Sequence, residues 1–184
     1  MLLSKAPDVV EKLHQEHTKQ LGNTPQDTIL NNPEILHKLL YTEGVIKESL
    51  RLSPPGSDLR RGPLGATVTH NGRQLPIDNN LVVTTNAHSI HHDPRIYPEP
   101  TVFRPERWLG PDKMPPAPGY FRPFGGDGRT CPGQNMGMNM VKIALVMTVG
   151  DFVFECAELK PNAEPRTLHT DLDLTFGDIA FQEL

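Results

Sequence analysis

Pro123-Phe124-Gly125-Gly126-Asp127-Gly128-Arg129-Thr130-Cys131-Pro132-Gly133 says more about this chain than any other run in it. Three of its glycines fall within four positions, and glycine enters φ > 0 without the clash a Cβ would cause. The loop so described closes on Cys131. Gly133 then opens Gln134 to Val149, where Met136, Met140, Ile143, Ala144 and Met147 recur at intervals of three and four. That spacing predicts a helix with this stripe packed in the core, methionine filling irregular gaps. Cys131 therefore stands where a loop gives way to a helix N-terminus. Free N–H groups and the positive end of the helix dipole favour an anionic sulfur there, and the thiolate is the form that binds metals. Arg129 adds a fixed cation able to pair an anionic group bidentately.

Other loops of similar appearance do different work. A phosphate-binding loop ends in Gly-Lys-Ser/Thr, whereas Gly128 is followed by Arg129-Thr130-Cys131. A cysteine phosphatase needs an arginine soon after its nucleophile, and Pro132 to Gly137 holds none. An inert cysteine in a glycine-rich turn is the plain structural reading. A thiolate, a cation and a tight loop beneath a flat ligand suit a haem iron with its propionates. The run from Phe124 to Gly133 resembles the haem-binding loop of the cytochrome P-450 family, F-x-x-G-x-R-x-C-x-G. Phe124, Arg129, Cys131 and Gly133 occupy its places. Asp127 stands where glycine is usual, and aspartate tolerates left-handed backbone better than most residues.

The chain has 184 residues, enough for one domain with a sizeable core, and a net charge of −4 with no long basic run. Nucleic acid is not indicated as a partner. Cys131 and Cys156 are the two cysteines, too few for a disulfide framework. No run approaches the roughly 18 apolar residues of a membrane-crossing helix. Of 19 prolines, ten lie between Pro94 and Pro132, so that segment is expected to be a long ordered coil rather than helix or central strand.

In chain order, Pro7 to Leu21 reads as an amphipathic helix, with Ser4 as its cap and Gly22 as its stop. A polar loop is expected from Asn23 to Pro33, then a helix from Glu34 to Leu52 capped by Asn32. Glu48 and Arg51 are three apart and share a face of it. Glu48-Ser49-Leu50-Arg51 resembles the E-x-x-R helix of the same family, and Phe103-Arg104-Pro105-Glu106-Arg107-Trp108 its proline-rich meander. The resemblance implies a buried network of Glu48, Arg51 and Arg107, and a propionate partner at Arg61 or its neighbour Arg60. Asn71-Gly72 between Thr67–Thr69 and Gln74–Ile77 is a strong hairpin signal, with a third strand at Leu81 to Thr84. His88, His91 and His92 share metal-ligand spacing, but His91-His92-Asp93-Pro94 resembles the family's H-R-D-P segment instead. Phe152 to Cys156 and Asp171 to Phe176 alternate as strands, the latter turning at Gly177-Asp178 into a late hairpin.

The resemblance implies an α+β, mainly α fold: the C-terminal part of a single cytochrome P-450 domain over residues 1–184, eukaryotic and of fungal type. It implies small β-sheets, the meander and the cysteine loop, without the oxygen-binding helix or N-terminal membrane anchor. The implied activity is haem-thiolate monooxygenation, one oxygen atom of O2 entering a small organic substrate. The cofactor would be haem b with Cys131 as axial ligand, and Phe124, Arg129, Gly133 and Arg61 around it. Electrons would come from NADPH through a reductase partner at the cytosolic face of the endoplasmic reticulum. The alternative is a non-catalytic haem-binding remnant or truncated gene product.

Overall fold

A computed structural model describes residues 2–56, 58–78, 81–111, 119–126 and 128–153. Helix α1 (Pro7–Leu21) begins at a proline whose missing N–H costs nothing in the first turn, and ends at Gly22 with φ +70°. Ser4 is not its cap. It lies in a short 3-10 turn (Leu3–Lys5), and Ala6 holds the capping position without a side-chain bond. The segment expected to be a polar loop contains α2 (Pro25–Asn31), which buries only Ile29.

The single helix expected from Glu34 is broken. Pro33–Lys38 forms a 3-10 turn, Leu39 leaves the helical region with ψ 72°, and α3 runs over Leu40–Leu52. Asn32 makes no capping bond. The break has a physical cause, because α3 is capped by another helix. Glu16 of α1 accepts the Tyr41 and Thr42 backbone N–H groups at 2.7 and 2.8 Å, and the Thr42 hydroxyl at 2.7 Å. A carboxylate at a helix N-terminus satisfies free donors and meets the positive end of the dipole.

Two small antiparallel sheets follow. Strand β1 (Asp58–Arg61) pairs with β4 (Val82–Thr85), with Asp58 opposite Thr85 and Arg61 opposite Val82. Strands β2 (Thr67–His70) and β3 (Arg73–Pro76) form the hairpin, with Asn71 and Gly72 at φ 49° and 75°. Both central residues of such a tight turn need positive φ, which this dipeptide supplies. The third strand expected after the hairpin is β4, and it closes a sheet with β1. Helix α4 (Ala87–His91) is capped by Asn86, whose Oδ1 accepts the Ser89 N–H at 3.2 Å. Among the described residues the coil beyond contains only one 3-10 turn, Pro105–Trp108.

Helix α5 (Gln134–Val149) completes the described fold. Val9, Leu13, Val45 and Val149 form one core cluster; Leu21, Ile29, Ile35, Leu36, Leu39 and Val146 form the other. The face of α5 that packs is therefore Lys142, Val146 and Val149. The stripe expected in the core turns outward, with Met136 67% and Met140 61% exposed, and Ile143 and Ala144 exposed too. Only Met147 of that set packs on the core. A helix apolar over most of its circumference shows its period but does not say which side is covered. Of the strand expected over Phe152–Cys156, Phe152 and Val153 are described and exposed; its other residues, Cys156 among them, lie outside the described residues, as do the late hairpin near Gly177 and Asp127.

Candidate cofactor site

The support for the Cys131 loop begins at α3. Glu48 and Arg51 are both fully buried, and Arg51 Nε and Nη2 donate to Glu48 Oε2 and Oε1 at 3.0 and 2.9 Å. Arg107 Nε donates to the same Oε1 at 3.0 Å. Two buried cations and one anion leave an excess positive charge, which is costly unless dipoles meet it. The proline-rich coil provides them. Arg51 Nη1 donates to the carbonyls of His91 (2.9 Å) and Pro100 (2.6 Å), and Nη2 to that of Val102 (3.3 Å). Arg107 Nη1 and Nη2 donate to Pro98 and Glu99 carbonyls at 3.0 and 3.2 Å. Pro98 and Pro100 have no N–H, so this coil cannot join a ladder, and its carbonyls find guanidinium partners instead. Glu99 between them holds φ 51°, unusual for a residue with a side chain.

Aromatic rings fill the space between this network and the loop. Phe121 lies between Trp108, centroid 4.5 Å away, and His91, 5.4 Å away. Tyr97 is buried beside both and donates its hydroxyl to the Tyr120 carbonyl at 2.9 Å. Burial pushes the Tyr97 phenol upward, so the hydroxyl keeps its proton to donate.

The loop is then held from the other side by β1. Arg122 Nη2 donates to Asp58 Oδ2 at 3.0 Å. At Gly125, φ is +78° and a Cβ would come within 2.8 Å of Asp58 Oδ1. Gly128 is also left-handed, but Gly126 is not among the positive-φ glycines. Its missing side chain leaves room for the Arg122 guanidinium, 3.1 Å from where a Cβ would be. The Cys131 N–H donates to the Phe124 carbonyl at 2.9 Å, closing the loop, and Gly133 occupies the position before α5.

Cys131 is a free, exposed thiol, Arg129 is exposed, and Phe124 is half-buried. Arg61 is exposed at the far end of β1, roughly 10 Å along the strand from Asp58. Glu48, Arg51 and Arg107 lie apart from these, as a buried support. Among the described residues, no three His, Cys, Asp or Glu side chains converge to hold a bare metal ion. A lone thiol suits a metal that brings most of its own ligands, as a porphyrin does. The exposed Met136, Met140 and Ile143 beyond the thiol suit an apolar ring system. The His88 and His92 rings lie 4.0 Å apart, tilted by 32°, and the ring of His91 is taken up in hydrogen bonds.

Three comparisons show which known proteins the chain resembles. The family model for cytochrome P-450 matches residues 1–174. The chain belongs to the cytochrome P-450 family. It is 33% identical to the cytochrome P-450 monooxygenase acrF of Aspergillus aculeatus, over 98% of this chain and 42% of that one. It is 32% identical to PC-23 of Penicillium crustosum, named likewise, over 84% of this chain and 78% of the relative. The solved structure of a retinoic-acid-bound cyanobacterial P-450 is similar with a TM-score of 0.64 and 31% identity, covering 79% of this chain and 31% of that one. The chain thus spans about two fifths of the first relative and a third of polC of Polytolypa hystricis. The partial P-450 fold, helical with small antiparallel sheets, is the one expected from the sequence, in an oxidoreductase family of fungal-like membership.

The motifs named His91 and Trp108 but not what they bond to: the Arg122 amide and Arg51 carbonyl for the first, Glu48 for the second. Lys142 and the Asp58–Arg122 pair carried no signal in the sequence.

Proposed function

We propose that the protein is a haem-thiolate monooxygenase, with this chain as the C-terminal portion of its single P-450 domain. The observation that carries the reading is an exposed Cys131 thiol, presented ahead of a helix with an exposed apolar side. Haem b, when bound, supplies the redox and dioxygen chemistry that no side chain can perform. Cys131 binds the iron as thiolate and donates electron density to it. Arg129 and Arg61, both exposed cations, neutralise the propionates. Phe124 and Gly133 shape the loop around the sulfur, while the exposed Met136, Met140 and Ile143 give α5 an apolar side. Glu48, Arg51 and Arg107 do no chemistry; they hold the coil that carries the loop.

Electrons reach the haem from NADPH through a reductase, and the substrate is a small organic molecule. The parent protein works at the cytosolic face of the endoplasmic reticulum. Among the described residues no helix is long and apolar enough to cross a membrane. The relatives' greater length supports placing the distal part of the site in sequence beyond this chain. Residues 1–184 alone should therefore bind haem without turning over substrate. The test adds haem, reductase and NADPH to residues 1–184 and to the full-length protein, and follows oxygenated product. Product from the full-length protein alone supports the reading. Sustained substrate-dependent product from residues 1–184 contradicts it.

A further inference from the structure

His91 touches both halves of the support described above. It is the last residue of α4 and fully buried. Its Nε2 lies 2.9 Å from the backbone nitrogen of Arg122, and its Nδ1 lies 3.2 Å from the backbone oxygen of Arg51. An amide N–H only donates, so Nε2 must present its lone pair. A carbonyl only accepts, so Nδ1 must carry the proton. These two contacts admit one form of the ring: neutral, with the proton on Nδ1.

Two further contacts fix the ring in place. It stacks on Phe121, and its own carbonyl accepts from Arg51 Nη1 at 2.9 Å. Arg51 therefore holds His91 by its side chain and is held by it through its backbone. From Arg122 the bonding continues into the loop. The Arg122 carbonyl accepts the Gly125 N–H at 3.3 Å, and the Phe124 carbonyl accepts that of Cys131 at 2.9 Å. The path from the end of α3 to the cysteine is thus one imidazole followed by short backbone bonds.

We infer that His91 is the positioning residue of the Cys131 loop, its neutral imidazole tying the Arg122 amide at the loop's entrance to the Arg51 carbonyl at the end of α3. The inference rests on the haem-ligand reading of Cys131 for its spectroscopic consequence, but not for the anchoring itself. Burial lowers the affinity of His91 for a second proton to a pKa of about 4; the bond to the Arg51 carbonyl opposes this, and the charges of Arg51, His92 and His88 reinforce it. The ring therefore stays in the form that both contacts require.

The test uses three substitutions in the full-length protein. His91→Phe keeps an aromatic ring against Phe121 but neither nitrogen. His91→Asn keeps a donor near Nδ1 only, and His91→Gln offers an acceptor near Nε2. Hydrogen exchange at the Arg122 amide should be roughly tenfold faster in the Phe and Asn variants, the weight of one hydrogen bond, and close to the parent in the Gln variant. The long-wavelength Soret band of the thiolate-ligated carbon monoxide complex should weaken in the same two variants and return with Gln. Nitrogen-15 spectra should show the parent ring protonated at Nδ1. Equal exchange in all three variants, a ring protonated at Nε2, or an unchanged Soret band where Arg122 exchanges fast would overturn the inference. If the parent gives no thiolate band, the haem reading of Cys131 fails, and tautomer and exchange alone then decide the anchoring.

Discussion

The Trp108 indole N–H donates to Glu48 Oε2 at 2.9 Å. Five donors converge on this carboxylate: Arg51 Nε and Nη2, Arg107 Nε, Trp108 Nε1 and the Arg104 backbone N–H. Burial alone would push the Glu48 pKa up. The bonds from Arg51, the Arg104 amide and the Arg107 charge outweigh it and hold the pKa below its ordinary value. Glu48 is thus an ion whose hydration shell has been replaced by fixed donors. Its loss would leave two guanidiniums facing one another.

Arg107→Ala should therefore be far more damaging than Arg104→Ala. The Arg107 side chain is 2% exposed and bonded to Glu48, whereas that of Arg104 is 40% exposed and paired with Glu99. Removing one member of a buried charge cluster costs about 3–5 kcal/mol, and an exposed pair about 0–1 kcal/mol. Urea unfolding and haem retention of the two variants check this. Equal, small effects would make Arg107 a surface feature.

Gly125→Ala should disturb the loop more than Gly128→Ala. Both glycines are left-handed, which costs an alanine roughly 1–2 kcal/mol. At Gly128 nothing lies within 4 Å of an added Cβ, but at Gly125 it meets Asp58 Oδ1 at 2.8 Å and must displace the partner of Arg122. Haem affinity should fall clearly in the first variant and little in the second.

Lys142→Met tests how α5 is seated. Lys142 is 2% exposed, with Nζ donating to the Leu36 carbonyl at 3.1 Å and to Glu43 Oε2 at 2.9 Å. Methionine keeps the stem in place but strands the Leu36 carbonyl, for a loss of about 1–3 kcal/mol. Lys47→Met, at a 34% exposed partner of the same Glu43, should cost under about 1 kcal/mol. Thermal unfolding distinguishes the two.

His91 gives stability a defined pH dependence. Its folded pKa of about 4 lies below the ordinary 6.5, through burial first and then the charges of Arg51, His92 and His88 against the raising bond to the Arg51 carbonyl. Between those values the unfolded chain holds a proton that the folded chain refuses, so stability rises with pH across the window. The contribution is complete above pH 6.5 and lost as pH falls towards 4, about 3 kcal/mol in all. Urea midpoints should drop over that range, and the slope should flatten in His91→Asn. An unchanged slope would contradict the assignment.

The sequence was most informative where single residues punctuate the backbone. Pro7 and Gly22 bound α1, Gly133 opens α5, and Asn71-Gly72 turns the β2–β3 hairpin. It was least informative where structure is settled between distant segments. Helix α2 is short and buries Ile29 while its neighbour Leu30 stays exposed, and α3 starts at Leu40 because Glu16 caps it from another helix. The covered face of α5 is chosen by Leu36, Leu39 and Val9, which no periodicity within α5 records. At the site, Glu48, Arg51 and Arg107 were visible as motif residues. The carbonyls that balance their charge were not, because a backbone acceptor leaves no mark on the side-chain sequence.

The central claim is that Cys131 binds haem iron as a thiolate. The most direct measurement is the absorption spectrum of the reduced, haem-loaded protein under carbon monoxide. The account predicts the long-wavelength Soret band of thiolate ligation, abolished by Cys131→Ser and kept by Cys156→Ser. A band that survives Cys131→Ser, or is lost with Cys156→Ser, would contradict it.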